Sequence, residues 1–190
     1  NLMKIKPQYD NTIFNLSNCF DGYDREFSYL IKGYLPTQSL GMVYGQSGAF
    51  KSFHVLSWAC SIALGREWNG VKVKQSPVLY IAGEGGVGVP RRIKAWCNKY
   101  NSGHSIEDFW SIEHPVFFGD LIQVEQLIRT IHFKQQSKGV KFGLIVIDTL
   151  ARCFSGDENR SDDMNRFVAA CDRIKAATGA TVLVVHHSGK

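Results

Sequence analysis

Apolar and polar positions change period repeatedly along the chain, and the changes mark out alternating strands and helices. From Ser39 the run LGMVYG reads as a short strand. The following KSFHVLSWACSIALG carries Val55, Trp58, Ala59, Ile62 and Ala63 at helical spacing before Gly65 closes it. A charged connection, REWNGVKVKQSP, leads into VLYIA, a strand of buried type. The turn GEGGVGVP then places Pro90 in the first turn of a helix over RRIKAWCNKY. HPVFFG predicts a third strand, and Asp120 caps LIQVEQLIRTIHFKQQSKG, with Leu121, Val124, Leu127, Ile128 and Ile131 as its apolar stripe. FGLIVID is a near-continuous apolar run of the kind parallel strands show when both faces are covered. Ser161 caps DDMNRFVAACDRIKAAT, with Phe167, Val168, Cys171 and Ile174 facing inward and Gly179 at its end, and TVLVV is the last strand.

This alternation predicts an α/β fold, a doubly wound and mainly parallel sheet of about five strands flanked by helices, with ligands at the carboxyl ends of the strands. Residues 1–30 keep no period and are expected to form an arm or short elements leading into a core over 31–190.

The polar clusters fall at those carboxyl ends: GQSGAFKS after the first strand, Glu84 after the second, Asp148 after the fourth, and His186 with His187 after the fifth. Singly, each has an ordinary structural reading as a turn, a cap or a packed histidine pair. Their coincidence is the argument for a site. A loop of backbone N–H groups at a helix N-terminus neutralises polyphosphate, and residues 45–52 fit such a loop: Gly45, Gln46, Ser47, Gly48, Ala49, Phe50, Lys51 and Ser52. Gly45 and Gly48 let the chain curl, Lys51 is placed to contact the outer phosphates, and the Ser52 hydroxyl is a ligand for Mg²⁺. Phe50 stands where the pattern G-x-x-x-x-G-K-[ST] has glycine. A side chain there calls for right-handed helical dihedrals, with the ring turned away from the phosphates. Asp148 suits the metal or its water shell, and Glu84 the orientation or deprotonation of an attacking water. His187 is assigned to sensing the terminal phosphate, and His186 to packing or to facing a neighbour.

Composition narrows the setting. The 190 residues suit one domain, and the formal charge of +5 is uneven: 12 Lys/Arg against 6 Asp/Glu through Tyr100, then 10 against 11. A basic excess suits either a polyanionic partner or a solvated face. Arg91, Arg92, Lys94 and Lys99 interleave with Trp96 and Tyr100, which fits nucleic-acid contact but fits better a plain amphipathic helix with Ile93, Trp96 and Cys97 packed inward. Five scattered cysteines without C-x-x-C spacing suggest neither zinc nor disulfides and point to a reducing cytoplasm. No apolar run reaches the ~18 residues of a membrane span, so no membrane partner is expected.

Together GQSGAFKS, LYIAGEGG, LIVIDTLARCFSGDEN and VLVVHHSGK resemble the RecA-like ATPases related to RepA, hexameric replicative helicases and phage or plasmid ATPases grouped as an AAA-type family. The resemblance runs over about residues 30–190. It implies a RecA-like core with Glu84 as the catalytic glutamate, Asp148 as the aspartate of the second nucleotide motif and His187 as the phosphate sensor. It also implies a sheet in which the strand before the phosphate loop lies next to the Asp148 strand. ATP and Mg²⁺ are the implied ligands, with hydrolysis at the subunit interfaces of a hexameric ring, movement along single-stranded DNA and contact with replication proteins. Against the family's pattern the chain ends at Lys190, where such cores continue into DNA-contacting loops and an arginine finger, and it is read as a fragment. Lys190 itself is placed by position at a subunit interface. The loop RCFSGDENRSDD is net acidic and is expected to cap the next helix or couple to a neighbour rather than grip DNA. Two other readings stand beside the motor: a nucleotide-binding regulatory module in which Phe50 marks lost hydrolysis, and a small-molecule kinase, disfavoured by the lack of an arginine-rich lid insertion.

Overall fold

The centre of the molecule is decided by three strands buried along their length. In the computed structural model, which describes residues 18–24, 26–84, 88–154, 156 and 160–187, the elements run β1 (Tyr29–Ile31), β2 (Leu35–Pro36), β3 (Leu40–Gly45), α1 (Lys51–Leu64), β4 (Val78–Ala82), α2 (Gly88–Tyr100), β5 (Phe109–Ile112), α3 (Leu121–Lys138), β6 (Leu144–Asp148), α4 (Leu150–Cys153), α5 (Ser161–Thr178) and β7 (Thr181–His187). β4 and β6 are buried at every position and β7 through Val185, as befits parallel strands covered on both faces. The main sheet has the order β3-β7-β6-β4-β5, and every neighbouring pair is parallel. This is the expected doubly wound α/β sheet of RecA-like form. β1 and β2 make a separate antiparallel pair.

Side-chain alternation splits the core in two. Leu79, Ile81, Ile145, Ile147, Val182 and Val184 face α3, α4 and α5, while Val78, Tyr80, Leu144, Val146, Leu183 and Val185 face α1, α2 and the small hairpin. Continuing each alternation to the strand ends puts Asp148 and His187 on the α1 face and His186 on the other, where its ring lies 5.2 Å from that of Tyr44.

The phosphate-loop strand is not beside the Asp148 strand, contrary to the arrangement the resemblance implied: β7 lies between them. The burial explains it. VLVV is apolar on both faces and takes an interior place, whereas β3 exposes Met42 and Tyr44 and sits at the end of the described sheet. The third strand also lies earlier than HPVFFG. Phe109–Ile112 pairs with β4, and Val116 and Phe118 are apolar because they plug the core under α3 and α5 from a loop. Pro115, which cannot donate to a ladder, fits that loop.

Helix ends follow the sequence closely. Gly65, Gly139 and Gly179 close α1, α3 and α5 in the left-handed conformation, and the Asp120 carboxylate accepts the Ile122 N–H at 2.9 Å. Ser161 is instead the first residue of α5, whose N-cap is Arg160 without a side-chain bond. Two stripe positions are also corrected. Leu121, at the very start of α3, is 68% exposed, and Val168, about 100° round α5 from buried Phe167, is 37% exposed. All five cysteines are free thiols, and burial pushes Cys153 up to about 11 and Cys171 up to about 12, leaving both inert. Among the described residues no helix is long and apolar enough to cross a membrane.

Candidate nucleotide site

Parallel register brings the polar strand ends level. Gly45 pairs with His187, and Asp148 pairs with Val185 on one side and Ala82 on the other. Residues 46–50 form an exposed loop between β3 and α1. Gly48 has φ +79, a conformation side chains rarely adopt. The Lys51 ammonium, 6% exposed, donates to the carbonyls of Gly45 at 2.7 Å and Gln46 at 2.6 Å, tying the loop's entry to the first residue of α1. The first turn of α1 has neither a side-chain cap nor an acidic residue. Its N–H groups and the positive end of the helix dipole therefore face the loop unopposed, which is the electrostatics an anion requires.

Phe50 departs from expectation in a telling way. Its backbone is left-handed, φ 55 and ψ 21, not right-handed. The residue thus keeps the dihedrals that glycine would adopt at this place, at a strain of about 1–3 kcal/mol. Its ring is 74% exposed and leans on Phe53 one turn along, with centroids 6.1 Å apart, so the side chain is carried out to solvent. Because the backbone already follows glycine's path, Phe50→Gly is expected to keep nucleotide affinity within about threefold. Phe50→Val, β-branched and poorly suited to positive φ, is expected to cost about 1–2 kcal/mol of stability. Nucleotide titration and urea unfolding of the two variants check this pair of outcomes.

Asp148 anchors the other wall. It is 7% exposed; Oδ1 accepts the Ser52 hydroxyl at 2.9 Å and Oδ2 accepts the Tyr80 hydroxyl at 2.5 Å. Ser52 and Asp148 thus present adjacent hard oxygen donors, a set that fits Mg²⁺, which takes one or two protein oxygens and otherwise keeps water. In the sequence Tyr80 reads as one more apolar position of VLYIA. It is 1% exposed and stacks on Phe109 at 6.1 Å. Burial first, and then the Asp148 charge, raise its pKa well above the usual 10.0, so it stays a proton donor to the carboxylate. The folded chain therefore holds this proton more tightly than the unfolded chain. The resulting stability is complete below about pH 10 and is lost as pH rises beyond it. Tyr80→Phe should remove that alkaline dependence and cost about 1.5–3 kcal/mol at neutral pH, the range for a hydrogen bond to a charged group. Denaturant midpoints for both proteins between pH 7 and 11 test it.

Glu84 follows β4 by two residues and is exposed. It shares a small cleft of about 40 Å³ with Ala82, Gly88, Val89, Arg92 and Asp148. Gly83 closes the approach of β4 to β6. Its N–H donates to the Asp148 carbonyl at 2.7 Å, and a Cβ there would come within 2.7 Å of the Arg152 Cβ. His187 points to the α1 face at the level of Gly45, and its Nδ1 is buried with no hydrogen-bond partner among the described residues. The peptide bond from Asp148 to Thr149 is cis.

The structure thus gathers the loop residues, Lys51, Ser52, Asp148, Glu84 and His187 at one end of the sheet. The basic stretch separates. Arg91 is exposed, whereas Arg92 is half-buried in the cleft, and Trp96 is spent on packing, its Nε1 donating to Ser57 Oγ at 3.2 Å. Lys190 and much of the loop after β6 lie outside the described residues.

A family model described as AAA domain matches residues 14–190, nearly the whole chain. The chain belongs to this AAA domain family. As an AAA-type P-loop ATPase it binds nucleotide, and the glycine loop, the buried lysine and the Ser52–Asp148 pair are where its geometry suits that ligand. In this AAA domain the glycine of the usual loop pattern is replaced without loss of its backbone conformation.

Proposed function

We propose that the chain is the ATP-hydrolysing core of a Mg²⁺-dependent ring motor, a hexameric replicative helicase or single-stranded-DNA translocase of the RepA type from a phage or mobile element. The observation that carries the hydrolytic part is the Ser52–Asp148 hydrogen bond together with the cleft that the Asp148 and Glu84 carboxylates both line. Mg²⁺ held near Ser52 and Asp148 would polarise the terminal phosphate. The loop N–H groups and Lys51 bind and orient the polyphosphate, Glu84 holds or takes the proton of the attacking water, and His187 hydrogen-bonds the terminal phosphate from β7. Tyr80 keeps the Asp148 carboxylate facing Ser52.

The resemblance to RepA-like proteins supports the motor part, and so does the basic excess before Tyr100. A regulatory module without hydrolysis loses its main support once Phe50 is seen to keep glycine's backbone path. The test is ATP turnover by the longest natural form of the chain, with and without single-stranded DNA, alongside sedimentation with and without nucleotide. Stimulation by single strands and a nucleotide-dependent ring are expected. Turnover indifferent to DNA in a monomer would refute the motor.

A further inference from the structure

Arg92 is placed unlike a surface cation. It stands in the second turn of α2, half-buried, with its guanidinium 4.7 Å from the centroid of the Phe53 ring on α1. It lines the cleft that also holds Glu84 and Asp148, and its charge reaches Tyr80 in the sheet beneath. Among the described residues no carboxylate or carbonyl takes any of its N–H groups. An arginine carries five donors in a fixed fork suited to a carboxylate, and a cation–π contact with Phe53 consumes none of those N–H groups. The cleft, about 40 Å³, is small enough to admit only a few water molecules, and Glu84 and Arg92 both line it.

Resting on the hydrolytic reading of this site, we infer that Arg92 is a positioning residue acting within its own subunit: with its guanidinium against Phe53 and its N–H groups unused, it takes the Glu84 carboxylate once nucleotide occupies the site and sets the orientation that directs the attacking water. Glu84 is exposed two residues after β4, and no hydrogen bond or ion pair among the described residues fixes its carboxylate. A cation pinned from the side by an aromatic ring supplies that constraint. Phe53 also packs against Phe50 beside the phosphate loop, with centroids 6.1 Å apart, so one ring borders both the loop and Arg92. Arg91, exposed one residue earlier, is left free for surface contacts.

Steady-state kinetics of the intact protein test this, with wild type, Arg92→Ala, Arg92→Lys, Phe53→Leu and Arg91→Ala, and nucleotide affinity measured separately by fluorescent-ATP titration. Misplacing a catalytic group costs up to about 10²-fold, so Arg92→Ala should lower kcat by about 10–10²-fold with KM and nucleotide affinity nearly unchanged. Arg92→Lys should recover part of that loss through its charge. Phe53→Leu should fall between the two, and Arg91→Ala should match wild type. Wild-type kcat in Arg92→Ala, or a loss confined to DNA stimulation or to ring assembly, would overturn the inference while leaving the ATPase reading intact. Absence of turnover in the wild type would defeat that reading, and the inference with it.

Discussion

Glu84→Gln is expected to lower ATP turnover by about 10²–10⁴-fold while leaving nucleotide affinity within about threefold. The exchange keeps the side chain's size and its place in the cleft with Arg92 and Asp148 but removes the only property hydrolysis needs from it, a carboxylate able to hold or take a proton from water. Glu84 makes no structural bond among the described residues and lies exposed after β4, so the fold should be untouched. Single-turnover hydrolysis together with equilibrium binding separates the two effects. Equal loss of both would mean that Glu84 belongs to the binding surface, and unaltered turnover would move the base elsewhere.

Lys51→Ala is expected to act on both quantities. The ammonium is buried and holds two loop carbonyls, so its removal takes away a charge aimed at the phosphates and loosens the loop entry at Gly45 and Gln46. Losing one preorganised donor to developing charge costs about 10²–10³-fold in rate, about 2.7–4 kcal/mol. Turnover should fall at least that far, with weaker nucleotide binding in addition. Circular dichroism should show an intact fold, because α1 is held by Val55, Leu56, Ala59 and Ile62 in the core rather than by its first residue. A variant that still turns over at wild-type rate would mean that GQSGAFKS is only a strand-to-helix turn.

What could be read from the sequence was what is written locally. Continuous apolar runs gave β4, β6 and β7, and three glycines gave the ends of α1, α3 and α5. The chemical clusters were legible because parallel strands deliver their carboxyl ends to one place. The misses have physical reasons. Val116 and Phe118 are core residues in a loop, and apolarity alone does not separate a loop plug from a strand. Tyr80 meets Asp148 across 68 residues of sequence, a pairing that only the sheet order creates. Spacing says nothing of backbone handedness, so Phe50 was expected to escape strain when it bears it. Arg92 looked like its neighbour Arg91 because charge patterns do not show which way a helix turns its face.

If the loop supports Mg²⁺-dependent hydrolysis with phenylalanine in glycine's place, steady-state ATP turnover by the wild-type chain over a Mg²⁺ titration will show it. Turnover should rise with Mg²⁺, saturate and be abolished by EDTA. Nucleotide that binds but is not hydrolysed at any Mg²⁺ concentration, with DNA present or absent, would leave the loop a binding site without catalysis and overturn the ATPase reading.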